Sequence, residues 1–372
     1  VAQHPDEAGT AHTLLVNGEP VFVRGVNWIP DDAFPHRVDR ARYARRLAQV
    51  ADAGVNLVRV WGGGTYEADD FYDECDERGL LVWLDFLFAC ACYLEEDPLH
   101  GEVVAEVRDN VTRLSPHPSL VLWNGDNENL WGFVDWEWEV RLDGRTWGDG
   151  YYHRLLPQLL PQLLAELLAE LDPGRSYVPG SPFSPAGSSG DEVRHPNDAA
   201  HGLMHVWDVW NDRDYLAYRE HRPRFASEFG WQGPPAWSTL RRSVSDDPLT
   251  PESPGMLVHQ KAVEGQRKLE RGLVRHLPVP DDMRDWRWAM SLNQARAVQT
   301  AAEHLCSLSP HCSGSIVWQL NDCWPVTSWS AVDGDGRAKP TLYALRHAHA
   351  DRLLTVQPRD GGPAAVLVND HP

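Results

Sequence analysis

Val55-Asn56-Leu57-Val58-Arg59-Val60-Trp61-Gly62-Gly63-Gly64 reads as a short, β-branched strand that breaks into a glycine turn just after an arginine and a tryptophan. Ahead of it, residues 38–53 carry apolar positions at helical spacing and stop at Gly54, a residue suited to a C-terminal cap. A helix feeding a strand in this way is half of a parallel unit, because parallel strands need a crossover between them. The same alternation repeats outward in both directions. Strand candidates fall at 21–27, 55–61, 80–86, 120–124, 176–180, 202–207, 224–228 and 315–319, with further helical stretches at 102–114 and 155–171. Pro157 and Pro161 require the second of these helices to start or kink there. Eight such units predict an α/β fold, a (β/α)8 TIM barrel with rim insertions, over residues 17–352.

Two insertions stand out. Residues 132–150 follow the fourth strand and, with Trp131, bring Trp136, Trp138 and Trp147 toward the strand ends. Residues 233–292, between the seventh and eighth strands, hold Asp, Pro and Ser clusters at 243–254 and 278–285 that read as excursions over the rim. The flanks read differently. Residues 1–16 lead into Val16-Asn17-Gly18-Glu19-Pro20, a hairpin signal, and are expected to end a preceding β-domain. A strand begins at Ala364-Ala365-Val366-Leu367-Val368, so residues 353–372 are expected to start a following one. The chain therefore reads as a piece of a longer protein whose flanking β-domains are its partners.

The 372 residues carry a net charge of −20, which repels nucleic-acid phosphates and anionic lipid. No apolar run of 18 residues occurs, so no membrane span is expected. A neutral substrate fits this balance best. Seventeen tryptophans supply both core bulk and flat faces of the kind that stack on sugars. The six cysteines, Cys75, Cys90, Cys92, Cys306, Cys312 and Cys323, are too sparse for a disulfide framework and read as buried thiols of a reducing, cytoplasmic compartment. His304, Cys306, His311 and Cys312 match no common zinc spacing. Neither a metal nor another cofactor is expected.

In such barrels chemistry sits where strands end. The strand ends here read Asn27-Trp28-Ile29-Pro30, Arg59-Val60-Trp61-Gly62-Gly63-Gly64, Trp83-Leu84-Asp85-Phe86, Trp123-Asn124-Gly125-Asp126-Asn127-Glu128-Asn129, Ser227-Glu228-Phe229-Gly230 and Trp318-Gln319-Leu320-Asn321-Asp322. Retaining glycoside hydrolysis needs two carboxyl groups about 5–5.5 Å apart, and Glu128 and Glu228, on the fourth and seventh strands, are the expected pair. Glu228 has to stay ionised as nucleophile, which Arg59 would favour by direct pairing. Glu128 has to carry a proton, favoured by burial and a neighbouring carboxylate. Asp85 and Asp322 form a rival pair that more simply organises turns. Gly62, Gly63 and Gly64 lack the spacing of a phosphate loop and read as a tight turn.

This succession of motifs, together with His117-Pro118-Ser119, resembles the β-mannosidases of glycoside hydrolase family 2 over residues 17–352. The resemblance implies Glu128 as acid/base, Glu228 as nucleophile, and Asn127 bonded to the substrate 2-hydroxyl. It implies Trp61 and Trp318 as walls of the terminal-sugar subsite, with His205 and Trp207 as further pocket residues. Leu84, Asp126, Leu130 and Val206 depart from the family pattern and bear on which sugar is taken. The expected activity is removal of terminal β-D-mannosyl residues from β-mannoside oligosaccharides through a covalent intermediate. The alternatives are an exo-β-glucosaminidase or β-galactosidase of the same family, or a non-catalytic carbohydrate-binding barrel.

Overall fold

The computed structural model describes residues 1–145, 147–160, 175–185 and 194–370. Among the described residues, eight strands make one sheet: β1 Val23–Trp28, β2 Leu57–Val60, β3 Leu81–Asp85, β4 Leu120–Asn124, β5 Ser176–Val178, β6 Met204–Val206, β7 Ala226–Phe229 and β8 Gly314–Val317. Their order is β6-β7-β8-β1-β2-β3-β4-β5. Helices intervene, with α1 Arg40–Asp52 after β1 and α3 Leu99–Leu114 after β3 where the sequence pattern predicts them, and α2 Asp69–Arg78 after β2 where no helix was read. This is the succession of a (β/α)8 barrel. All eight predicted strands are present, most of them shorter by one to three residues than the apolar runs that announced them.

The chain divides into two compact units. The first comprises Val1–Val21, Asn56–His205 and Pro223–Ser227. It holds the parallel run β2-β3-β4-β5, in which Leu57 faces Leu81, Val82 faces Leu120, and Leu122 faces Ser176. Every residue of β2 is buried, as parallel strands covered on both faces require. Phe86 stacks on Trp123 at 5.3 Å between ring centres. The predicted N-terminal hairpin pairs Leu14–Val16 with Glu19–Val21 through Asn17 and Gly18, both at positive φ. Of the predicted helix at 155–171, Pro157 lies in α-helical residues 156–160, which follow directly on a π-helical turn over Tyr151–Leu155. The remainder, with Pro161, lies outside the described residues.

The second unit comprises Phe22–Val55, Val206–Arg222 and Glu228–Pro372. In it β8 pairs in parallel with β1, Ile316 facing Gly25. α1 starts where the Asp39 side chain accepts the Arg42 amide, and it buries Tyr43, Arg46, Leu47 and Val50. Gly54 follows it at φ 69°, the left-handed cap expected from its position. The clusters at 243–254 and 278–285 are irregular except at their ends, but the stretch around them holds helices that the sequence pattern did not announce. Gly265–Leu273 and the 24-residue Met283–Cys306 are both helices, the latter capped by Asp282 through the amides of Arg284 and Asp285. The long helix escaped the sequence pattern because it is buried on several sides. Trp286, Met290, Asn293, Gln294, Ala297, Val298 and Ala301 are all inside, so no polar face marks its period.

A C-terminal hairpin, β9 Arg352–Arg359 with β10 Gly362–Asn369, contains the predicted strand at 364–368. Leu353, Thr355 and Gln357 face inward and Leu354 and Val356 outward, the alternation of a one-sided antiparallel pair. Thr355 donates to Glu303 at 2.6 Å, tying β9 to the long helix. Among the described residues no helix is long and apolar enough to cross a membrane. The cysteines correct the sequence reading. Cys75, Cys306 and Cys312 are buried, but Cys90 is exposed and Cys92 and Cys323 half-exposed, because those three lie in loops rather than in the apolar runs.

Candidate active site

In the first unit, β2, β3 and β4 end in a buried polar network. Arg59 and Asp85 form a fully buried ion pair at 2.8 Å. Asp85 also accepts from Trp83 Nε1 at 3.0 Å, Asn124 Nδ2 at 2.8 Å and the Gly62 amide at 3.2 Å. Its lone pairs are thereby occupied, which fits an organiser of the strand ends rather than a reacting acid. Gly64 donates its amide to the Trp61 carbonyl at 3.2 Å, closing the turn expected for the three glycines. Arg59 Nη2 also donates to Asn127 Oδ1 at 2.7 Å. With its oxygen held, Asn127 presents its amide protons, one of them toward Cys90 Sγ at 3.5 Å.

Glu128 follows in the left-handed region at φ 62°, where a residue with a Cβ is strained and is found mostly where function fixes the backbone. Its amide donates to the Ser181 carbonyl at 2.9 Å, and its carbonyl accepts from Gly132 at 2.8 Å. The carboxyl, 9% exposed as a residue, meets His205 Nδ1 through Oε1 at 2.7 Å and the Cys90 thiol through Oε2 at 3.5 Å. The loop carrying Cys90 is pinned to the same turn, since Asn127 donates to the Phe88 carbonyl and Cys90 to that of Asn127. Asp126 is buried beside them. Burial holds its carboxyl well above the usual carboxylate range, against the opposing hydrogen bond from the Asn129 amide. Trp131 lies edge-on to His205 at 6.3 Å, Trp136 follows at 5.8 Å and Trp138 at 5.5 Å from Trp136. The 132–150 insertion thus leads a row of indoles away from His205, while Trp147 sits apart, under Arg145.

In the second unit Glu228 belongs to β7 and is 3% exposed. Trp207, immediately after β6, donates its indole N–H to Glu228 Oε2 at 3.1 Å. Trp329 packs edge-on against Trp207 at 6.1 Å between ring centres. The Trp318 amide donates to the Phe229 carbonyl at 2.8 Å. A Cβ on Gly230 would stand 2.2 Å from the Trp318 carbonyl oxygen, so only glycine fits after Phe229. Asp322 is buried and accepts from Ser328 at 2.9 Å and Ser330 at 2.6 Å. Burial raises its carboxyl and lowers the buried Lys339 ammonium, while the attraction between them opposes both shifts. Like Asp85, it is a turn organiser. Trp61, Trp207 and Trp318 are each half-buried, whereas Trp28, Trp83, Trp123, Trp210, Trp231 and Trp286 are fully inside.

Among the positions considered for zinc, His304 bonds the His221 carbonyl, His311 that of Arg222, and the Cys312 thiol that of Gly314. Asp208 pairs with His221 and Arg213 on a partly exposed face, and those partners hold its carboxyl below the usual range despite burial. Sequence reasoning missed Cys90, Ser181 and Trp329 altogether. Ser181 and Trp329 lie in loops with no local signal, and only the position of Cys90, five residues past the third strand, hinted at a place beside strand four.

No family model matches the chain. A β-mannosidase of Bos taurus is 32% identical over 367 residues, which are 93% of this chain and 40% of the bovine protein. β-Mannosidase B of Aspergillus clavatus is 33% identical over 360 residues, covering 93% of this chain and 41% of its own. Among solved structures, the β-D-mannosidase from Dictyoglomus thermophilum superposes with a TM-score of 0.90 at 38% identity, over 99% of this chain and 43% of that one. The exo-chitosanase CsxA of Amycolatopsis orientalis, at 18% identity and a TM-score of 0.72, shares the fold. The chain spans well under half the length of these relatives, and over that span its sequence and fold are similar to those of the β-mannosidases.

Proposed function

We propose that the chain is the catalytic barrel of a retaining exo-β-mannosidase that acts on β-mannoside oligosaccharides, with Glu128 as general acid/base and Glu228 as nucleophile. The observation that carries the reading is Glu128 itself: a nearly buried carboxyl on a strained backbone, bonded to a histidine, in a chain whose relatives are β-mannosidases. A Glu228 oxygen attacks the anomeric carbon as the glycosidic C–O bond breaks, and the Glu128 proton passes to the leaving oxygen. Glu128, now a carboxylate, takes a proton from water, whose oxygen displaces Glu228 and releases the sugar with its configuration retained. Asn127, its carbonyl fixed by Arg59, offers an N–H to the 2-hydroxyl. Half-buried Trp61 and Trp318 supply faces for the terminal ring. Flanking β-domains of the parent chain complete the pocket.

The test is hydrolysis of p-nitrophenyl β-mannoside by the whole parent protein, beside the matching glucoside, galactoside and glucosaminide and beside Glu228→Ala. Mannoside turnover lost in the variant is the expected result. Turnover of another glycoside alone would move the specificity to the glucosaminidase or galactosidase alternative. Silence on all four would favour a non-catalytic carbohydrate-binding barrel.

A further inference from the structure

Behind Glu128 a hydrogen-bonded chain runs through buried side chains of the first unit. Glu128 Oε1 lies 2.7 Å from His205 Nδ1, and His205 Nε2 lies 2.9 Å from Ser181 Oγ. Ser181 Oγ lies 2.9 Å from Ser227 Oγ, which lies 3.4 Å from the Met204 carbonyl oxygen. His205, Ser181 and Ser227 are all essentially inaccessible. Asn197 fixes the His205 backbone, accepting its amide at 2.7 Å and donating to its carbonyl at 3.0 Å, while burial and the bonds at both nitrogens hold the ring.

The direction of this chain follows from its far end. A carbonyl oxygen only accepts, so the Ser227 hydroxyl donates to Met204. A hydroxyl has one proton, so Ser227 accepts from Ser181, and Ser181 in turn accepts from His205 Nε2–H. A neutral imidazole protonated at Nε2 presents a lone pair at Nδ1, and in that form, unlike in the imidazolium, the bond to Glu128 takes its proton from the carboxyl. The Cys90 thiol donates to the other oxygen, Oε2, which marks Oε1 as the hydroxyl oxygen of the acid. We infer that Ser181 and Ser227 are positioning residues that fix His205 in the Nε2–H tautomer and thereby keep Glu128 protonated. The inference rests on the reading of Glu128 as general acid.

The arrangement serves both halves of that reaction. Before bond cleavage the one proton between Oε1 and Nδ1 is the proton available to the leaving oxygen. After it has left, a carboxylate oxygen faces an imidazole lone pair, and that repulsion drives Glu128 to take a proton from the incoming water. His205 stays neutral throughout, so no proton has to enter or leave through the serines. Among the described residues, the titratable and charged groups around Glu128 and His205 include Cys90 from the loop after β3, Asp126 in the same turn as Glu128, and Arg59 with Asp85 acting through Asn127. Glu228 is their partner in the reaction proposed above.

Ser181→Ala removes the acceptor of Nε2–H. The ring is then expected to adopt the Nδ1–H tautomer, which donates to the Glu128 carboxylate and favours its ionised form. The alkaline limb of the kcat/KM profile for mannobiose should move down by about one pH unit, with roughly tenfold lower activity at neutral pH. An aryl mannoside with a good leaving group should lose much less. Ser181→Thr, which keeps the hydroxyl, should retain the native limb. Nitrogen NMR of the full-length protein labelled in histidine reads the tautomer directly, with the His205 signal assigned by its loss in His205→Asn, and it needs no serine variant to fold. Protonated Nε2 with bare Nδ1 is expected; Nδ1–H in the native protein would overturn the inference, as would an unmoved alkaline limb in folded Ser181→Ala. The tautomer is measured independently of turnover. If it is Nε2–H but Glu128→Gln still cleaves mannobiose normally, the acid assignment fails and the inference about catalysis falls with it. An Nδ1–H result beside an inactive Glu128→Gln would leave the acid assignment standing.

Discussion

Glu128 and Glu228 stand at the ends of two barrel strands, and their surroundings differ in kind. Glu128 sits on a left-handed backbone, a conformation that costs on the order of 1–3 kcal/mol, and its carboxyl touches an imidazole and a thiol. Glu228 sits in a regular, wholly buried strand and receives an indole N–H. Imidazole can give or accept a proton bond; indole only donates. A group that must hold a proton, lose it and regain it is matched to the first environment. A group that must stay ionised until it attacks is matched to the second, because a fixed donor stabilises the charged form and cannot remove a proton from it. Burial alone does not distinguish the two residues; the bonds to His205 and to Trp207 differ in protonic character, which fits the proposed roles.

Breaking the first environment has the larger expected effect. Glu128→Ala should lower kcat/KM for mannobiose by roughly 10²–10⁴-fold, the usual contribution of a general acid. Aryl mannosides with good leaving groups should still form the intermediate, and added azide should restore turnover by replacing the activated water. Equal losses on both substrate types, without rescue, would mean that Glu128 is not the acid. The second environment should yield less. Trp207→Phe keeps the ring and removes the donor to Glu228, so kcat should fall about tenfold, in line with the loss of one hydrogen bond to a charged group. The sign of its pH effect is opposite to that expected for the Ser181 variant. With the carboxylate less stabilised, the acid limb should move up by about one unit, so that activity disappears at a higher pH as the solution is acidified. An acid limb that stayed in place would mean that the Trp207 donor does not tune the proposed nucleophile.

The same contrast explains what could be read without coordinates. Strands such as Leu57–Val60 and Leu120–Asn124 announce themselves because burial on both faces leaves short apolar runs, and Glu128 and Glu228 stand out as carboxylates delivered by such runs. The roles of Arg59 and Asp85 were only half legible, since their spacing of 26 residues gives no hint of the 2.8 Å ion pair that parallel pairing of β2 and β3 creates. Ser181 was not legible at all, and Cys90 only through its place after the third strand, because what matters is their proximity to His205 and Glu128, set by loops from different strands. Met283–Cys306 was missed for the opposite reason. A helix packed on several sides loses the polar stripe that makes amphipathic helices visible.

The most direct test of the central claim is to trap the covalent species. The whole parent protein would be incubated with 2-deoxy-2-fluoro-β-mannosyl fluoride, whose fluorine slows both steps while its good leaving group lets the first one proceed, and the labelled peptide identified by mass spectrometry. The account predicts a single fluoromannosyl ester on the peptide containing Glu228, formed as activity is lost. A label on any other residue, or hydrolysis with inverted configuration and no label, would contradict it.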